Sequence, residues 1–206
     1  MMKMHDMRNV RYVLASKSPR RKELLHQAGI EFEIIPSDAD ESTDKTEPSD
    51  IVLELSRNKC DAVVKKLNGD GGADVTVVIA ADTVVTHDGV VLGKPGDAWD
   101  AVSILAGLSG KTHLVCTGVS VCVYYVNSNR TEEFSFTEET RVKMYPFSIK
   151  EAEEYVDTGE PMDKAGAYGI QGRGALLVER IEGDYNNVVG LPLAKLCREL
   201  RERGLF

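Results

Sequence analysis

The stretch from His113 to Val126 (HLVCTGVSVCVYYV), the turn Asn127-Ser128-Asn129, and the stretch from Glu132 to Met144 decide the fold. The first is rich in Val and Tyr, residues that suit a pleated and largely buried surface, and the second reads as another long strand. The Asn-Ser-Asn tripeptide between them is turn chemistry. Two long strands joined so tightly must be antiparallel, which excludes a purely parallel sheet.

Upstream, Val75 to Ala80 is wholly apolar and reads as a central strand, with Asp82 and Thr83 expected at its C-terminal end. Val84-Val85, His87-Asp88-Gly89 and Val90 to Leu92 then form a hairpin about Asp-Gly. Val10 to Ala15 reads as a strand. Ser18 caps a helix with Pro19 in its first turn, which runs through Leu24, Leu25 and Ala28 to Gly29. Ile30 to Ile35 is a strand, and the acidic stretch from Pro36 to Pro48 a loop. Apolar residues at helical spacing (Val52, Leu55, Val63, Leu67) mark a helix from about Ser49 to Leu67, followed by a flexible turn at Asn68 to Gly72.

Asp97 caps a further helix through Trp99, Val102 and Leu105 to Gly110. Ser148 with Glu151 is a capping box for a short one ending near Gly159. Glu160 to Gly174 is Gly-rich without periodicity, Ala175 to Ile181 a strand, and Leu191 to Arg203 a closing helix. Strands mingled with helices define a mixed α/β fold, and with no internal repeat or linker residues 1–206 are expected to form a single domain.

The chain has 206 residues with a net charge of −8, so phosphates would be repelled from most of its surface and a broad grip on a nucleic-acid polymer is excluded. A small anion needs a local basic pocket. The four cysteines (Cys60, Cys116, Cys122, Cys197) form no CxxC pair, which predicts free thiols in a reducing, cytoplasmic setting. Met1 to Asn9 is polar with no signal-type apolar core. The longest apolar runs fall short of the ~20 residues of a membrane helix.

Ser16-Lys17-Ser18-Pro19-Arg20-Arg21-Lys22 opens a helix with two hydroxyls and four cations. Free amides and the macrodipole already favour an anion there, so extra cations suit a phosphate site. Asp82 is a carboxylate where open α/β sheets place ligand chemistry. Lys59 lies on the buried stripe between Leu55 and Val63, so it must either snorkel out or find an anion. Gly93-Lys94-Pro95 fixes a lysine in a constrained turn. Asp38-Ala39-Asp40-Glu41 offers oxygen ligands of the kind Mg²⁺ takes. Asp163 to Gly172 (DKAGAYGIQG) reads as a loop that lets backbone approach a ligand. Gly110-Lys111-Thr112 ends like a P-loop, but Leu105 stands where the opening glycine would fall.

Taken together, Leu14 to Arg21, Ala81-Asp82-Thr83, Gly93-Lys94-Pro95, Asp163 to Gly172 and Val189-Gly190-Leu191-Pro192 resemble, in order, the motifs of the Maf family of nucleotide pyrophosphatases. The resemblance implies an α/β fold with a long mixed central sheet flanked by helices and two lobes around a cleft, similar to the inosine triphosphate pyrophosphatases. It implies hydrolysis of a nucleoside triphosphate to the monophosphate and pyrophosphate with a divalent cation, Mg²⁺ or Mn²⁺, and a homodimer. Ser16, Arg20, Arg21, Lys59 and Lys94 would hold phosphates. Asp82 would be the catalytic carboxylate and Glu41 its metal-binding companion, with Asp40 a neighbour that could substitute.

Branches of the family differ at three places, which are Arg20, Thr83 and Gln171 here, a combination resembling the branch acting on dTTP and UTP. Gln171 has both a donor and an acceptor for the O4 and N3–H edge of uracil or thymine. The rival from another class is a non-catalytic nucleotide-binding regulator of cell division, and within the enzymes a phosphomonoesterase. The presence of both carboxylates favours the pyrophosphatase.

Overall fold

A computed structural model describes residues 9–67 and 72–206, so most of the turn expected at Asn68 to Gly72 lies outside the described residues. In chain order the elements are β1 (Val10–Leu14), α1 (Pro19–Gln27), β2 (Phe32–Ile34), α2 (Pro48–Lys66), β3 (Val75–His87) and β4 (Val90–Leu92). There follow α3 (Ala98–Leu108), β5 (Thr112–Tyr125), β6 (Arg130–Met144), α4 (Ile149–Val156), β7 (Val178–Glu182), α5 (Tyr185–Val189) and α6 (Leu193–Glu202).

The described strands form one seven-stranded sheet in the order β2-β1-β3-β5-β6-β7, with β4 paired to β3. The β1 pairings with β2 and β3 are parallel, and β3–β4, β3–β5, β5–β6 and β6–β7 are antiparallel. The long hairpin is thus the middle of a mixed sheet, as its sequence requires. Asn129 turns it in the left-handed region, a conformation Asn tolerates better than most residues.

Local signals explain most boundaries. Ser18 accepts from the Arg21 amide, Asp97 from the Asp100 amide, and Ser148 with Glu151 completes both halves of the capping box. Asp88 and Gly89 both take positive φ, the turn geometry that matches the twist of a two-residue hairpin.

Alternation along β3 divides the core. Val78 and Ala80 face α2 and pack with Cys60 and Val63, while Val77, Ile79 and Ala81 face the other way into a cluster with Leu25, Leu191, Leu196 and Leu200. A separate cluster on that second side joins Val85 to Leu105 and Leu108 of α3, Met144 of β6 and Ala152 of α4. Each buried leucine contributes about 1.5–3 kcal/mol of transfer free energy. No helix among the described residues is long and apolar enough to cross a membrane.

Two expectations need correction, and one helix was not expected. β3 does not stop before Asp82 but runs on to His87, because β5 pairs with it without interruption from Val75 to Thr86. Ala175 to Leu177 belongs to a 3₁₀ turn, and β7 starts only at Val178, after the chain has closed the Gly-rich segment. The closing helix expected at Leu191 to Arg203 is α6, and a short helix not expected from the sequence, α5, precedes it. Asp184 caps α5 through the Asn186 amide, Gly190 at φ 122° ends it, and α6 begins after Pro192.

The continuity of β3 creates the feature that matters for function. β1 pairs with β3 only as far as Leu14 opposite Ile79, and β4 joins only from Leu92 opposite Val85. Between these limits, residues 80–84 have β5 on one side and no described strand on the other. Asp82 and Thr83 lie in that gap, beside the C-terminal end of β1 where the chain leaves for α1.

Candidate active site

A cleft of about 700 Å³ opens at the gap. It brings together nine side chains singled out from the sequence, whereas Asp40, the neighbour offered in place of Glu41, lies outside its lining and bonds to Ser42. Ser16, Arg20 and Arg21 come from the entry to α1, Glu41 from the acidic loop and Lys59 from α2. Asp82 and Thr83 come from β3, Lys94 from the turn after β4, and Gln171 from the Gly-rich segment. Apolar walls come from both large clusters, with Ile170 and Val189 from one and Val85 and Tyr168 from the other.

Asp82 and Thr83 point to opposite faces of the sheet, and the gap lets both reach one cavity. On the α2 face, the Lys59 ammonium contacts Asp82 Oδ1 at 2.5 Å and Glu41 Oε1 at 2.7 Å. The lysine on the buried stripe has therefore found anions, two of them. Lys59, aided by Lys94 and Arg21, holds the Glu41 carboxyl below its ordinary range against partial burial. The second oxygen of Asp82 has no hydrogen-bond partner among the described residues.

On the opposite face the Arg21 guanidinium is locked in place. Its Nε donates to Gly190 O (2.8 Å), Nη1 to Ser16 Oγ (3.3 Å) and Nη2 to Thr83 Oγ1 (3.2 Å). Desolvation lowers its pKa and the negative field of Asp82 and Glu41 works against that. A guanidinium starts so high that it stays charged.

Thr117 Oγ1 donates to Asn187 O (3.1 Å), so in the 2.9 Å contact between the two threonine hydroxyls Thr83 is the donor. Thr83 thus spends its proton inward and accepts from Arg21, which ties it to orienting that cation. Asn187, fully buried, fastens α5 to the sheet through Val115 O (3.1 Å) and Thr140 Oγ1 (3.0 Å). Neither Thr117 nor Asn187 was evident as a supporting residue in the sequence. The Asp184-x-Asn186 cap just before Asn187 was the available signal.

Arg20 reaches across the cleft mouth to Asp163 (3.0 Å), which also meets Lys164 (2.6 Å). Burial pushes the Asp163 carboxyl up, but hydrogen bonds from Lys164 and Arg20 outweigh it and hold it below the usual carboxylate range. Lys94 is exposed at the rim and, like Gln171, has no hydrogen-bond partner for its side chain among the described residues. Cations outnumber carboxylates in the lining, so an acidic protein has built a locally basic pocket.

Among the described residues no group of three or more His, Cys, Asp or Glu side chains could hold a metal ion. The donor set is two carboxylates, Glu41 and Asp82, both in contact with one ammonium, so the place between them already accepts positive charge. Mg²⁺ commonly takes one or two carboxylates and completes its shell with water and substrate phosphate oxygens. The residues present fit such an ion.

A cationic cleft around paired carboxylates, at the gap of a mixed α/β sheet, defines a protein that handles polyphosphate anions. Residues 11–203 match the model of the Maf-like protein family, and the chain belongs to that family. It is 50% identical over 200 residues to a dTTP/UTP pyrophosphatase of Agathobacter rectalis, covering 94% of this chain and 97% of the relative. Proteins of the same name from Carboxydothermus hydrogenoformans (50% over 191 residues, 93% and 97% covered) and Bacillus cytotoxicus (44% over 193 residues, 93% and 95% covered) are also similar.

Proposed function

We propose that this protein hydrolyses dTTP and UTP to the monophosphate and pyrophosphate. The single observation that carries the reading is the cluster of Lys59, Glu41 and Asp82 opposite the locked Arg21 in one cleft, in a chain half identical to enzymes of that name.

Phosphoryl-group chemistry is governed by charge neutralisation and in-line positioning. In this reading Ser16, Arg20, Arg21 and Lys94 hold the phosphate chain. Thr83, expected to touch substrate, acts chiefly by fixing Arg21. Lys59 releases part of its hold on the carboxylates to meet a phosphate oxygen. A bound Mg²⁺ or Mn²⁺, held by Glu41 and Asp82, would supply Lewis-acid polarisation and a more acidic water. The free oxygen of Asp82 takes the proton of the attacking water. Gln171 reads the base.

We also read the chain as one domain acting as a homodimer in the cytoplasm. The four cysteines, free in the structure, suit a reducing compartment, and the net charge of −8 keeps nucleic-acid polymers away.

The test is a panel of canonical and modified triphosphates with product identification, run with and without added inorganic pyrophosphatase. Phosphate that appears only with the second enzyme supports the reading. Phosphate released without it points to a phosphomonoesterase, and nucleotide binding without turnover points to a regulator of cell division.

A further inference from the structure

The segment that carries Gln171 has a support of its own behind the cleft. The Tyr155 hydroxyl, on α4, accepts from the Gly169 amide (3.1 Å) and donates to Glu160 Oε1 (3.0 Å). The same carboxylate accepts from the amides of Arg173 (3.0 Å, Oε2) and Gly174 (3.2 Å, Oε1). The chain therefore leaves at Gly169, turns through Gln171 and returns at Gly174 onto the same two side chains.

The neck is closed so tightly that a Cβ on Gly174 would run into the Gly169 carbonyl and come within 2.6 Å of the Tyr155 oxygen. Burial raises the Tyr155 pKa, so the phenol keeps its proton for Glu160. Tyr155 and Glu160 are both absent from the cleft lining, while Gln171 is part of it.

A primary amide can discriminate between base edges only if its donor and acceptor are held at fixed places, because rotation exchanges them. The side chain of Gln171 has no hydrogen-bond partner among the described residues, so its placement rests on its backbone. Resting on the reading of Gln171 as the residue that meets the base, we infer that Tyr155 and Glu160 are specificity-positioning residues, a clamp that sets base selection without touching substrate. A group held by such a support loses selectivity when the support loosens by even a fraction of an ångström.

The experiment is a mutant cycle on the full chain. Values of kcat and KM for UTP and ATP are measured for wild type, Tyr155→Phe, Glu160→Gln, Gln171→Ala and the Tyr155→Phe/Gln171→Ala double variant, with a thermal melt of each. Tyr155→Phe deletes one oxygen and is expected to lower the UTP-to-ATP ratio of kcat/KM about fivefold, the scale of one net hydrogen bond. The loss should fall on the KM for UTP while kcat changes little. Glu160→Gln should shift the ratio in the same direction, and it carries the test should Tyr155→Phe fail to fold.

In the Gln171→Ala background the tyrosine change is expected to move the ratio no further, because the two act on one contact. Equal losses for UTP and ATP, or independent effects of the two substitutions, overturn the clamp and leave the pyrophosphatase reading standing. A ratio that Gln171→Ala itself leaves unchanged overturns the base-reading role of Gln171 and the clamp with it.

Discussion

Gly118 lies directly across from Asp82 in the β3–β5 ladder, on the face that α2 covers, and its missing side chain is what lets α2 sit there. A Cβ at that position would stand 2.5 Å from the carbonyl oxygen of Val52. Lys59 is carried on the same helix and reaches Asp82 only because the helix backbone comes this close. Gly118→Ala is expected to cost about 1–3 kcal/mol, the usual range for overpacking. It should also lower kcat by displacing Lys59. Melting and steady-state kinetics check it, and an active variant of wild-type stability would remove the spacing argument.

Asp82→Asn keeps the shape of the site and removes the proton acceptor. The expected outcome is a fall in kcat of at least about 10², the scale of a lost acid–base group, with nucleotide still bound. Pyrophosphate release and nucleotide titration measure the two halves. Near wild-type turnover with unchanged metal dependence would defeat the assignment.

Lys59→Met removes the cation between two carboxylates. On sequence grounds a lone buried lysine would make methionine neutral or stabilising, but the pair of contacts reverses that expectation. Glu41 is largely exposed, with 61% of its side chain accessible, so screening reduces the cost to about 1–2 kcal/mol. The melt should drop at neutral pH, added Mg²⁺ should restore more of it than in wild type, and kcat/KM should fall. A variant that melts higher than wild type would contradict the pairing.

Gln171→Glu tests recognition of the base. Wild type is expected to prefer UTP and dTTP over ATP and GTP by at least about tenfold, since unmatched buried polar groups discriminate strongly. Glutamate only accepts, so the preference should erode. A panel in which purine triphosphates win would sink the base assignment while leaving hydrolysis intact.

His113 supplies a pH signature. It is buried on β5, with Nε2 2.7 Å from the Tyr168 hydroxyl, and burial, with a smaller contribution from His87, lowers its pKa to about 4. The unfolded chain takes up a proton near pH 6.5. Between that value and about 4 the unfolded state binds more protons, so stability rises with pH across this window and is complete above it. From pH 7.5 to 5 the loss is on the order of 2 kcal/mol. Denaturant midpoints of wild type and His113→Gln at both pH values should show a flatter dependence in the variant.

Much of this was legible in the residues. Lys59 on an apolar stripe had either to snorkel out or to find an anion, and the Ser18 cap opened α1, because local periodicity and capping are local physics. The extent of β3 was not legible. Nothing in Ala81-Asp82-Thr83 says that β5 will pair past it, since pairing partners 34 residues apart in sequence decide that. Gly118 was likewise read only as part of a strand, although a glycine inside a strand often marks close approach of another backbone. Its neighbour is α2, which local pattern cannot reveal.

The gap in the sheet has a consequence for how substrate range can drift. The carboxylates and Lys59 are anchored to the α2 side, whereas Arg21, Thr83 and the segment bearing Gln171 are anchored to the other. A substitution that retunes which base is accepted strains packing on one side only. In the proposed reading the hydrolytic groups sit beside α2, which packs on separate clusters of buried residues, so one scaffold can change its clientele and keep its chemistry.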